Sequence, residues 1–138
     1  DVASSEDDTA YREGYEKIVE TLKMMKDKGI QIIPGTDLGG SFFYHRELEL
    51  YEQLGFSPAE LVKLATYDMA NYLGDKDLGS IAPGKLADFF LIPGNPVEDI
   101  KAIKTIALVS RGGTFYYPSE VYPAFGIEPF TDMPKVTE

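Results

Sequence analysis

Residues 30–40 read IQIIPGTDLGG, and the fold turns on how this stretch is understood. Ile30, Gln31, Ile32 and Ile33 suit a strand, because β-branched side chains pack well on a pleated surface. Pro34 has no amide proton to give to a sheet ladder, and Gly35, Gly39 and Gly40 let the backbone bend or approach a ligand closely. Asp37 therefore falls in the first loop after the strand. In α/β folds ligands lie outside the carboxyl ends of parallel strands, in open sheets and closed barrels alike, so a carboxylate there can bind metal or act as a base. The tripeptide Gly35-Thr36-Asp37 also fits a turn aspartate that bonds its own backbone, and taken alone so short a motif favours the turn.

Upstream, the apolar residues Tyr11, Tyr15, Ile18, Leu22 and Met25 recur at helical spacing and predict a helix over residues 9–28 with one inward face. Asp7, Asp8 and Thr9 are cap candidates, and Gly29 is the stop. The acidic cluster Glu6, Asp7 and Asp8, beside Ser4 and Ser5, reads as a solvated loop before that helix. Met24 and Met25 read as core filler. A helix that ends in glycine and runs into a strand is one half of a β/α repeat.

Downstream, residues 45–54 predict a helix with Leu48, Tyr51 and Leu54 inward. Ser57, Pro58 and Glu60 then give a serine cap, a proline at the first helical position and a glutamate three beyond the cap. The helix they start should bury Leu61, Leu64, Ala65, Met69 and Leu73 and end at Gly74. From residue 75 glycines and prolines punctuate short β-like runs. Residues 87–92 predict a strand, and two runs flanking Arg111-Gly112-Gly113 predict a hairpin. The proline-rich residues 118–138 predict an extended strap, with Tyr122, Phe125 and Phe130 against something apolar.

At 138 residues with a net charge of −10, the chain has room for one ordinary domain and lacks the basic balance that nucleic acid or an anionic membrane requires. No apolar run approaches the ~20 residues that cross a bilayer. The absence of cysteine excludes disulfides, zinc–thiolate sites and thiol nucleophiles within these residues.

Further motifs carry a resemblance. After the Gly-Thr-Asp motif come a histidine-bearing loop, a second helix that begins SPAEL and ends YDMANYLG, then LGSIAPGKLADFFLIPGNPVEDI and the hairpin SRGGTFYY. In this order the sequence resembles the carboxyl-terminal part of the amidohydrolase superfamily, nearest to its imidazolonepropionase-like and prolidase-like metal-dependent hydrolases. The resemblance covers residues 30–117, and its most specific piece is GSIAPGKLAD at residues 79–88.

The resemblance implies an α/β fold: residues 1–74 as the last helix, strand and helices of a (β/α)8 TIM barrel, 75–117 as a small composite β-sandwich subdomain, and 118–138 as an extended tail. It implies that Asp37 follows the eighth barrel strand, binds a divalent metal, with zinc the expected ion, and takes a proton from the attacking water. It places His45 in the loop after that strand, where substrate contact and a plain helix-start role stand as equal alternatives. Lys85 and Asp88 would fix a turn and a strand start. The family's other ligands have no counterpart, since His45 is the only histidine, and a catalytic zinc takes about three protein ligands. The expectation is thus the carboxyl-terminal fragment of a metal-dependent hydrolase of small-molecule amide bonds, inactive and unable to hold metal alone. The alternative is a free-standing, non-catalytic domain that binds a partner or itself, because an unpaired strand is an adhesive edge.

Overall fold

The structure is a computed structural model that describes residues 5–135. Its first element, α1 (Ser5–Asp27), starts earlier than expected, so Asp7 and Asp8 lie on the helix and not in a preceding loop. Negative charge in the opening turns of a helix is favourable against the positive end of its dipole. Ser4 lies outside the described residues. Gly29, at φ +75°, stops the helix.

The expected inward face of α1 is largely uncovered: Tyr11 is 76% and Ile18 60% exposed, and Met24 is exposed rather than filling a core. Among its described side chains, only Val19, Leu22, Met25 and Lys26 are half-buried. Periodicity identifies an apolar stripe but cannot name what covers it. The helix is tied at its carboxyl-terminal end and middle. The Lys26 ammonium donates to the Gly55 carbonyl at 2.8 Å and lies 4.6 Å from the Phe56 ring centre. The Tyr15 hydroxyl donates to Gln53 at 2.9 Å.

Residues 30–36 form no ladder with any described residue, which corrects the strand expected at 30–33. A strand exists only with a hydrogen-bonding neighbour, and β-branched residues alone do not supply one. Helix α2 (Ser41–Tyr51) begins before His45 and continues as a tight turn over Glu52–Leu54, ended by Gly55 at φ +82°. The next helix opens with the expected capping box, in which Ser57 Oγ accepts from the Glu60 amide at 3.3 Å and Glu60 Oε2 accepts from the Ser57 amide at 2.7 Å. It runs as α3 (Pro58–Lys63), a wider π-type stretch (Leu64–Asp68) and α4 (Met69–Tyr72). Leu73, expected inside, is exposed.

Leu48 of α2 and Leu61 and Leu64 of the following run form a core with Ile100 and Ile103 from the short 3-10 helix Ile100–Lys104. Burying a side chain of this size is worth about 1.5–3 kcal/mol, so this group fixes the two helical runs to residues 100–104. Three strands follow the helices: β1 (Phe89–Leu91), β2 (Leu108–Arg111) and β3 (Thr114–Tyr116), antiparallel in the order β1-β2-β3. Arg111 pairs with Thr114, so Gly112 and Gly113 form a two-residue turn, and their φ of +56° and +79° meets its demand for left-handed backbone. Residues 75–117 thus hold one small sheet.

The tail differs from the expected extended strap over its first half. Pro118–Val121 is a helical turn, α5, and Tyr122–Phe125 a 3-10 turn; Pro118 opens the first and Pro123 is second in the other, positions that tolerate the missing amide. Two of the three expected rings find an apolar partner: those of Tyr122 and Phe130 lie 5.9 and 5.8 Å from that of Phe42, at the start of α2, while Phe125 is exposed.

Candidate functional site

Asp37 is exposed and takes φ +53°, the one described residue other than glycine in the left-handed region. Aspartate tolerates this conformation better than most residues. The turn is held by its neighbour: Thr36 Oγ1 donates to the Leu38 carbonyl at 3.1 Å and accepts from the Leu38 amide at 3.2 Å. Among the described residues no hydrogen bond or ion pair engages the Asp37 carboxylate. The turn-aspartate reading asked that carboxylate to bond its own backbone, and the threonine does so instead.

Two residues upstream, Gly35 donates its amide to Glu47 Oε1 at 3.0 Å, and the same oxygen accepts from the Tyr51 hydroxyl at 2.8 Å. Glu47 therefore ties the approach to Asp37 onto α2. Burial, and then the bond to Glu47, push the Tyr51 hydroxyl far up from its usual pKa, so it stays protonated and donating. The second carboxylate oxygen of Glu47, Oε2, is buried with no protein partner. Nothing in the sequence marks Glu47, since only the fold brings its helix beside residue 35.

His45 lies inside α2 and is only 7% exposed. It is neither in a loop nor at the helix start. Burial, and then the Lys104 ammonium, hold its pKa below the usual value against the opposing pull of Glu49. Glu49 is paired with Lys104 and, at 2.8 Å, with Arg46. Burial works against its charge, but the two cations outweigh that and keep its carboxyl below the usual pKa. No described hydrogen bond, ring contact or cavity joins His45 to Asp37.

Lys85 and Asp88 do not pair with each other. Lys85 donates to the Leu78 carbonyl at 3.1 Å, and Asp88 accepts from the Gly112 amide at 2.8 Å, which pins the hairpin turn to the start of β1. Both interactions are structural. Among the described residues no three His, Asp or Glu side chains converge as a metal site.

The class defined by these features is a mixed helix and strand chain with an exposed carboxylate in the turn between two helices, followed by a small antiparallel sheet. The family model described as the amidohydrolase family matches residues 13–116, and the chain belongs to that family. It is similar to an adenine deaminase of Lactobacillus delbrueckii subsp. bulgaricus, at 37% identity over 44% of this chain and 10% of that protein. It is likewise similar to an imidazolonepropionase of Deinococcus deserti, at 33% identity over 54% of this chain and 20% of that protein. Among solved structures, a Xaa-Pro dipeptidase with methionine bound in its active site superposes with a TM-score of 0.67 at 31% identity, over 72% of this chain and 25% of that one. The chain thus spans a quarter or less of these relatives.

Proposed function

We propose that these residues are the carboxyl-terminal part of a metal-dependent amidohydrolase that cleaves a carbon–nitrogen bond in a small-molecule amide, cyclic amide or dipeptide. In this reading residues 1–74 complete a (β/α)8 barrel, with 30–33 as its last strand beside staves supplied from outside these residues. Residues 75–117 are part of a β-sandwich, and 118–138 form a tail. A strand lacking a ladder here, and an α1 stripe lacking a cover, are what an element removed from such a barrel would show.

The observation that carries the reading is the presentation of Asp37: exposed, unengaged, and in a turn that Thr36 already satisfies. As one ligand of a divalent ion, zinc being the expected one, Asp37 would stand among donors from outside these residues. Its own part in the chemistry is proton transfer. The carboxylate accepts the proton of the water whose oxygen adds to the carbonyl carbon, and passes it to the nitrogen as the C–N bond breaks. Glu47 holds the backbone before it. Substrate contact by His45 would require α2 to present a side chain that is now buried, so His45 has no step here.

The test compares the full-length protein with its Asp37→Asn variant in an amide-hydrolysis screen with metal analysis. Removing a general base costs about 10²–10⁴-fold in rate, and the variant should fold while losing at least that much turnover. Unchanged turnover would remove Asp37 from the mechanism. A second reading, a non-catalytic domain that associates with itself, draws on the exposed apolar residues of α1 and on Ile30. It predicts no hydrolysis from any length of the protein.

A further inference from the structure

Thr36 shapes the turn around Asp37 from within, by its two bonds to Leu38. What fastens the segment to the rest of the protein is different. Among the described hydrogen bonds of residues 31–37, the one that reaches another element runs from the Gly35 amide to Glu47 Oε1, at 3.0 Å. We propose that Glu47 and Tyr51 are a positioning pair for Asp37: Tyr51 fixes the Glu47 carboxylate, and Glu47 fixes the backbone that carries Asp37, so turnover depends on both. The proposal rests on the hydrolase reading.

The pair stands on the most firmly packed part of the molecule. Leu48, next to Glu47 in α2, lies in the core with Leu61 and Ile100, so the backbone under Glu47 is fixed. Tyr51, one turn further on, packs its half-buried ring against the same core and stacks on Phe56 with 6.0 Å between ring centres. From there its hydroxyl donates to Glu47 Oε1 at 2.8 Å. A glutamate side chain has rotamer freedom to lose, and a second donor on the oxygen that holds Gly35 takes part of that freedom away. Gly35 stands two residues before Asp37, and a misplacement of about 1 Å at a reacting group can cost about 10²-fold in rate. Both donors use Oε1, while Oε2 has no protein partner. Glutamine presents an accepting oxygen at the same place and therefore keeps both bonds.

The test uses the full-length protein with the amide substrate found in the hydrolysis screen, and reads kcat, KM and hydrogen exchange at the Gly35 amide. Glu47→Ala should lower kcat by about 10²-fold at unchanged KM and speed the exchange. Tyr51→Phe, which removes only the hydroxyl, should lower kcat about ten-fold. Glu47→Gln should keep most of the turnover and the slow exchange. Wild-type kcat in Tyr51→Phe, a raised KM at wild-type kcat in Glu47→Ala, Glu47→Gln as slow as Glu47→Ala, or Gly35 exchange that no variant alters would each overturn the proposal. Asp37→Asn, run beside them, separates the two claims. Full turnover in that variant sinks the hydrolase reading, whereas its loss together with full turnover in Glu47→Ala and Tyr51→Phe sinks the positioning pair alone. Tyr51→Phe and Glu47→Gln nearly preserve the volume of the native side chains, so they decide the matter even where Glu47→Ala fails to fold.

Discussion

Asp37 shows how one backbone angle separates conformational from chemical requirements. A side chain with a Cβ at φ +53° is strained, and the left-handed region costs most residues about 1–2 kcal/mol, with aspartate and asparagine among the exceptions. Asp37→Asn should therefore leave the urea midpoint nearly unchanged, whereas Asp37→Ala should lose about 1 kcal/mol. Equal stabilities would show that the angle is not held in solution. The titrating groups of α2 give a second prediction. His45 has a lowered folded pKa, so the unfolded chain binds more protons and stability falls as the pH drops below the ordinary histidine value of 6.5. Glu49, also lowered, adds its own loss as the pH falls below the ordinary 4.5 and through its folded value. Denaturant titrations should show both stages, and His45→Phe should abolish the upper one alone. For single residues, the position of Asp37 in a turn was legible, because Pro34 and the glycines punctuate the chain around it. Glu47 was not, since its partners at Gly35 and Tyr51 include one reached only through the fold.

Among the elements, caps and turns were the most legible, because their chemistry is local. Ser57→Ala removes one half of the capping box and should cost about 1 kcal/mol in thermal or urea unfolding. Gly79→Ala should cost more. Its φ is +81°, and an added Cβ would stand 2.7 Å from Ala70 Cβ and 2.9 Å from the Thr66 carbonyl oxygen, an approach that backbone cannot relieve cheaply. A loss smaller than that of Ser57→Ala would show the contact to be loose in solution. The same locality explains why the hairpin around Gly112 and Gly113 was legible while the strand at 30–33 misled. The hairpin contains both of its strands, whereas residues 30–33 have no ladder partner among the described residues. The helix of residues 58–72 reads as one run, and its π-type middle leaves no mark in the apolar spacing.

Across the protein, a small core coexists with much uncovered apolar surface, including Tyr11, Ile18 and Ile30. Such surface drives association in spite of the −10 net charge. The isolated chain should therefore sediment as concentration-dependent oligomers, more so as salt screens that charge, and Ile18→Lys should shift it toward monomer. A monomer at every concentration would show that the α1 stripe is not adhesive. What the sequence left unread here is what lies against that stripe, because periodicity describes one partner of a contact. The meeting of Phe42 with Tyr122 and Phe130 has a kinetic corollary. It joins residues from opposite thirds of the chain, so it closes a long loop, a slow and entropically costly event that belongs late in folding. Contacts made late are the first to open, so a protease that nicks the segment carrying Tyr122 and Phe130 would strip a neighbour from the helix that follows the acid, with the acid itself untouched.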